Sequence, residues 1–168
     1  AYLGLTLETL GLYGAKHTEC ANEITIPQQA LIPPSIEWPC DWSSVPYFLA
    51  IAACCQEANI LVKKVSKAPS QADFIAVDIF KTHFGIACLF EEDGLRIRRS
   101  EVEKTRAKIS LDGSHFPDLV PTIICCAAVC KRDIEIHGIE HLRFKESDRI
   151  RTLEVALEQM NYHFTEIA

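Results

Sequence analysis

Positive charge is in short supply: 17 Lys and Arg stand against 23 Asp and Glu, for a formal net charge of -6. A general nucleic-acid binder needs the opposite balance, because cationic side chains must displace the counterions of the phosphates. Long apolar runs are missing too. The longest, Val45 to Cys55, has the length of a buried helix and is too short to cross a bilayer. The N-terminus lacks the basic, apolar and small-residue succession of a signal peptide. There is no glycine-rich phosphate loop, no Gly-x-Ser-x-Gly elbow and no Cys-x-x-Cys pair. His137 and His141 are four apart, but Gly138 lies between them in a strand-like pattern. No carboxylate and third ligand follow at zincin spacing, so no metal site is expected there.

What is present is ordinary for a globular chain. The 168 residues suit one compact domain or slightly more, and 48% of them are hydrophobic. Of the 8 cysteines, Cys54, Cys55, Cys125, Cys126 and Cys130 lie inside apolar helical patterns, where Cys acts as a small hydrophobe. This usage points to reduced thiols and a cytoplasmic setting. The pattern opens directly on a helix, Tyr2 to Leu12, and closes in the apolar run Tyr162 to Ala168. Both ends read as cuts through a larger protein.

An internal repeat organises the chain. Ser43 to Cys55 and Asp118 to Cys130 align when Pro46 is set on Pro121. Each has a capping residue, an early proline, a nearly all-apolar helix and then a β-branched strand, Asn59 to Val62 or Asp133 to Ile136. Proline is tolerated in a first helical turn, whose N–H groups have no intrahelical partner. A second element recurs as a helix followed by a strand pair. It runs Leu7 to Gly14, then Ala15 to Cys20 and Glu23 to Ile26. It returns as Ile75 to Gly85, then Ile86 to Glu91, a turn at Asp93-Gly94, and Leu95 to Arg99. Leu153 to Asn161 begins it again. The expected fold class is α+β with α/β-like repeats, each unit reading strand, helix, strand, helix, hairpin. The helix around residue 50 is apolar nearly all round and is expected to be buried, with the amphipathic helices near residues 7, 77 and 153 outside it.

The densest cluster of chemical groups is Arg143-Phe144-Lys145-Glu146-Ser147-Asp148-Arg149. It follows the strand Ile134 to Ile139 and is expected to open the helix that runs through Leu157. Lys145 and Arg149 would then share a face, at a helix start that favours anions. On spacing alone, a solvated first turn, capped by Ser147 or Asp148 with local salt bridges, is the favoured reading. Asp118, just before a buried helix, reads as a plain N-cap matching Ser43, or as a carboxylate at a crevice mouth able to accept a proton. The basic stretch Arg96, Arg98, Arg99, Lys104, Arg106 and Lys108, interleaved with Glu101 and Glu103, reads as a solvated hairpin edge.

At this point the sequence resembles a known family. Leu142 to Arg149 is similar to the LRxKESDR signature of the 5-enolpyruvylshikimate-3-phosphate (EPSP) synthases. Other segments agree in the same order. Tyr2 to Leu7 resembles the family's Tyr-Ile-Asp-x-Thr-Leu, Asp41 to Ala50 its Asp-Ala-Ser-Ser-Ala-x-Tyr-Phe-Leu-Ala, and Pro117-Asp118 with Pro121-Thr122 its Pro-Asp-x-x-Pro-Thr. The resemblance implies the enolpyruvyl transferase fold, two similar domains of three βαβαββ units each. On that frame residues 1–34 are the tail of one domain. Residues 35–168 are about two units of the other.

The resemblance also implies a reaction: transfer of enolpyruvyl from phosphoenolpyruvate to the 5-hydroxyl of shikimate 3-phosphate, releasing phosphate, with no metal or organic cofactor. It places Asp118 as general base, Glu146 in proton transfer at the phosphoenolpyruvate methylene, and Lys145 on shikimate 3-phosphate. Arg149 falls on a phosphoenolpyruvate contact and Tyr2 near the shikimate phosphate. His141 stands where the family usually has Asn, another shikimate 3-phosphate contact. Gln71-Ala72-Asp73 resembles a Gln-Gly-Asp segment without its glycine, and Gly4 replaces an Asp. The family's Lys-Ser-x-x-x-Arg, Ser-Ser-Gln and Asp-His-Arg segments have no counterpart here. The chain alone is therefore expected to be inactive, the missing partner being the remainder of the same polypeptide. Its uncovered apolar faces imply self-association. A UDP-N-acetylglucosamine enolpyruvyl transferase fits the motif less well, and a non-catalytic anion- or partner-binding domain of the same fold is the alternative of a different class.

Overall fold

The computed structural model describes residues 2–35, 40–100, 107–163 and 165. The N-terminal part is a helix, α1 (Tyr2–Leu12), and a short antiparallel hairpin of β1 (Thr18–Cys20) and β2 (Glu23–Thr25). No residue of α1 is buried. The expectation of an outer helix with one covered face therefore does not hold for it.

The next stretch runs α2 (Val45–Cys54), β3 (Asn59–Lys63), α3 (Ala76–Phe84), β4 (Ile86–Glu91) and β5 (Gly94–Arg99). Its three strands form an antiparallel sheet in the order β3-β5-β4. Asp-Gly marks the hairpin, but the turn is one residue earlier than expected. Glu91 pairs with Gly94, leaving Glu92 and Asp93 as the loop. Gly94 is needed in the strand itself: it sits at φ 152°, and a Cβ there would lie 2.1 Å from the Val62 carbonyl oxygen of β3. The basic strand is likewise not an edge. β5 is the central strand, with Arg96 paired to Glu91 at 2.6 Å and Arg99 donating to the Ala53 carbonyl. Lys104, Arg106, Glu101 and Glu103 lie outside the described residues.

The last stretch runs β6 (Ile109–Asp112), α4 (Val120–Val129), β7 (Ile134–His137) and α5 (Arg149–Gln159). β6 and β7 pair in parallel, Ile109 opposite Ile134 and Asp112 opposite His137, with α4 as the crossover that parallel pairing requires. One apolar core runs through both stretches. Trp42, Leu49, Phe80, Ile86, Leu95, Ile97, Ile123 and Leu142 are fully enclosed in it.

α2 is not buried all round. Val45, Leu49, Ala52 and Ala53 face the core, while Tyr47 and Ile51 remain 58% and 54% exposed. The helix packs on α3, α4 and the sheet along one side, and nothing among the described residues covers the other. α3 and α5 do follow the outer-helix expectation, burying Ile79, Phe80 and Phe84, and Ile150, Leu153 and Leu157. No helix among the described residues is long and apolar enough to cross a membrane.

Candidate active site

Parallel strands present their following loops at a common end, and ligands of such sheets collect outside the carboxyl ends of the strands. The loop after β6 carries Asp118, and the loop after β7 carries Lys145 and Glu146. Tyr2, at the start of α1, meets them there. Its hydroxyl donates to Asp118 Oδ2 at 2.6 Å, and Lys145 Nζ donates to Asp118 Oδ1 at 3.4 Å. One carboxylate thus joins three segments far apart in sequence.

This geometry removes the N-cap reading of Asp118. The first turn of α4 starts at Val120 with Leu119 as its capping position, and no side chain caps it. Asp118 lies one residue too early to reach the helix N–H groups and is exposed toward the cleft. Ser43 does not cap either; its own N–H is accepted by Asp41. The helix expected through Lys145 also starts later. Glu140–Phe144 is a short 3-10 segment, and α5 begins at Arg149 behind Asp148. Asp148 caps it, accepting from the Arg151 N–H at 2.9 Å and pairing with Arg143 at 2.9 Å. Lys145 and Arg149 therefore do not share a helix face. Lys145 turns to Asp118, and Arg149 Nη2 donates to Glu146 Oε2 at 3.0 Å.

Electrostatics follow from these contacts. The Tyr2 hydroxyl, with Lys145 and Arg149 nearby, holds the Asp118 carboxyl below its usual range. Burial, and then the hydrogen bond to that carboxylate, pushes the Tyr2 phenol up, so it stays a donor. Glu146 is lowered by a backbone N–H and by Arg149. The exception is Asp73. It is buried with Oδ1 unpartnered, and burial plus the Asp118 and Asp41 carboxylates push it up to about 6. Asp73 lines the same cleft as Tyr2, Leu5, Asp41, Gln71 and Asp118. Sequence reasoning noticed its Gln-Ala-Asp segment but gave Asp73 no role. A lone acid in a 3-10 turn carries no periodic signal of burial.

Of the six residues picked from sequence, Tyr2, Asp118 and Lys145 converge, and Glu146 and Arg149 pair beside them. His141 is exposed on the 3-10 segment, and no hydrogen bond joins it to the other five among the described residues.

An ionised carboxylate among a phenol, an amine and a guanidinium, at the carboxyl ends of parallel strands, defines a mixed α and β protein with a charged cleft at that end of the sheet. The pattern of EPSP synthase (3-phosphoshikimate 1-carboxyvinyltransferase) matches residues 3–168, and the chain belongs to that family. Among similar proteins is the 3-phosphoshikimate 1-carboxyvinyltransferase of Methanosarcina mazei, 32% identical across 98% of this chain and 39% of that protein. That of Dehalococcoides mccartyi is 30% identical across 98% of this chain and 38% of its own length. That of Archaeoglobus fulgidus is 34% identical across 95% and 37%. The chain therefore spans under two fifths of the curated relatives it matches.

Proposed function

We propose that the chain supplies one wall of the active site of a 3-phosphoshikimate 1-carboxyvinyltransferase. The observation that carries this reading is the meeting of Tyr2 and Lys145 on Asp118. The reaction adds the 5-hydroxyl of shikimate 3-phosphate to C2 of phosphoenolpyruvate while C3 gains a proton. It then breaks the C2–O bond to phosphate while C3 returns a proton. Inorganic phosphate leaves and the enolpyruvyl ether remains.

In this reading Asp118 accepts the hydroxyl proton, its ionised form being the one its neighbours favour. Lys145 binds the shikimate phosphate side, and Tyr2 fixes the carboxylate. Glu146 exchanges the C3 proton. As it stands Glu146 is held ionised by a backbone N–H and by Arg149, so it must take up a proton as that pair opens beside the phosphoenolpyruvate anion before it can donate. Binding of the phosphoenolpyruvate anion to Arg149 opens the pair, which couples substrate arrival to the proton donor. Asp118 and Glu146 thereby receive opposite protonation states, as addition of a hydroxyl to an enol requires.

Residues 1–34 fit the tail of one domain and residues 35–168 about two βαβαββ units of a second, in a cytoplasmic enzyme of aromatic amino-acid biosynthesis. The matching basic segments of the opposing wall are absent from this chain, so the chain by itself is inactive. The exposed Tyr47 and Ile51 make it self-associate; sedimentation as a monomer at high concentration counts against that part. The function itself is tested by phosphate release from phosphoenolpyruvate. The whole polypeptide that carries these residues releases phosphate only when shikimate 3-phosphate is present. Release without shikimate 3-phosphate, or none with both substrates, sinks the reading.

A further inference from the structure

Three of the cysteines expected to act only as small hydrophobes converge where α2 ends against the end of α4. The sulfurs of Cys54, Cys126 and Cys130 all lie within 4.8 Å of one another. Cys126 and Cys130 are four apart on α4 and so share a face, with their sulfurs 3.9 Å apart. Cys54 is the last residue of α2. At 3.9 Å Cys126 and Cys130 are in contact but not bonded, since a disulfide sets the sulfurs about 2.0 Å apart.

Cys126 and Cys130 share a thiol hydrogen bond and Cys130 Sγ lies 3.4 Å from the Ala53 carbonyl, and the same sulfur spacing is within reach of a metal. Zinc–thiolate bonds of about 2.3 Å at the tetrahedral angle put the sulfurs about 3.8 Å apart, and a trigonal centre puts them about 4.0 Å apart. Burial is graded. Cys126 is enclosed, Cys130 is intermediate and Cys54 is exposed. An ion thus has an entry path and an open position on the solvent side. Arg99 and Arg132 lie near Cys130, on the side where a tris-thiolate complex needs countercharge. Arg132 is itself anchored, donating to the His83 carbonyl at 2.9 Å and to the Ala107 carbonyl at 3.2 Å.

We propose that Cys54, Cys126 and Cys130 form a binding site for one soft, thiophilic ion, Zn(II) or Cu(I). Soft sulfur ligands select these ions over Mg(II) or Ca(II). Binding exchanges up to three thiol protons for the ion, giving a tris-thiolate complex, with water in a fourth position for zinc. The site is separate from the carboxylate cleft. Asp118 precedes the first turn of α4 and Cys130 caps its end, ten helical residues away, a rise of about 15 Å. An ion there pins α2 to α4 and takes no part in the reaction proposed above.

The test uses the whole polypeptide, reduced and metal-free under anaerobic conditions. Titration with Co(II) as a spectroscopic stand-in for zinc should give a thiolate-to-metal charge-transfer band that saturates at one equivalent. Competition against chromophoric Zn(II) and Cu(I) chelators then shows which ion is preferred. Cys54→Ser, at an exposed position, should weaken binding at least tenfold, and Cys54→Ser with Cys130→Ser should abolish the band. Cys55→Ser, outside the cluster, should bind as wild type. Wild-type melting curves for the metal-free variants show that the fold survives. Saturating zinc should raise the melting temperature of the wild type and of Cys55→Ser, and leave that of the double variant unchanged. No charge-transfer band, or a band of equal strength in the double variant, overturns the proposal.

Discussion

The stretch α2-β3-α3 and the stretch α4-β7-α5 follow one order, each with a 3-10 segment before its second helix. Their loops have opposite natures. In the first, Gln71 spends its amide on the fold: Oε1 accepts from the Trp42 N–H at 2.8 Å, and Nε2 donates to the Cys40 carbonyl at 2.9 Å. Trp42 is fully buried against Phe74 at 4.7 Å and Phe90 at 6.2 Å, with its indole N–H on the Ser66 carbonyl. In the second, at positions that align with Ser43 and Gln71, stand Asp118 and Glu146, whose partners are the Tyr2 phenol and Lys145 for the first and Arg149 for the second. The comparison teaches that one skeleton serves two ends. The first loop fastens the core through Gln71 and Trp42 while also sending Asp73 to the cleft, and the second gathers paired carboxylates and cations there.

Four substitutions break or sharpen that comparison. Trp42→Ala, in the first stretch, should destabilise by about 3–5 kcal/mol, read as a lowered denaturant midpoint. In the second stretch Lys145→Met should leave the midpoint within about 0.5 kcal/mol. It should raise the KM for shikimate 3-phosphate in the whole polypeptide by about ten- to a hundredfold, the loss expected for one charge-assisted contact.

Asp73 belongs to the first loop, lines the cleft with Asp118 and gives a pH test. Its carboxyl is pushed up to about 6 from an ordinary 3.8. Between those values the folded state holds a proton that the unfolded chain has released, so this group's stabilisation is present at low pH and is lost as pH rises through about 6. Asp73→Asn should remove that slope and stabilise the protein at pH 7 by about 1–3 kcal/mol, measured by denaturation across pH 4 to 8. An unchanged slope would place the buried charge elsewhere. Smallest is Gln71→Ala, which strips the Trp42 N–H and Cys40 carbonyl of partners and should cost about 1–2 kcal/mol, read as a lowered denaturant midpoint.

Much of this fold was legible because its signals are local. The proline in the first turn of α2 and of α4, the left-handed Gly85 that ends α3 at φ 69°, and the Asp93-Gly94 signal that marks the hairpin to within one residue all act within a few residues. What the sequence hid depends on distance. Arg96 and Arg98 look like an edge until β3 and β4 are seen on either side of β5. Asp118 looks like a cap until Tyr2 arrives from the other end of the chain. Lys145 seems helical because Asp148, three residues on, is the true start signal. The Cys54, Cys126 and Cys130 cluster is invisible without the docking of α2 on α4. Tyr47 and Ile51 seem buried because composition records apolarity but not what packs against it.

Asp118 joins Tyr2 and Lys145, and the proposed function makes it the group that takes the hydroxyl proton. The most direct test is phosphate release by the whole polypeptide carrying Asp118→Asn, measured with its melting temperature. The prediction is a fall in turnover of at least about a hundredfold, the scale of a lost general base, with melting unchanged. Turnover near the wild-type rate in a normally folded variant would contradict it.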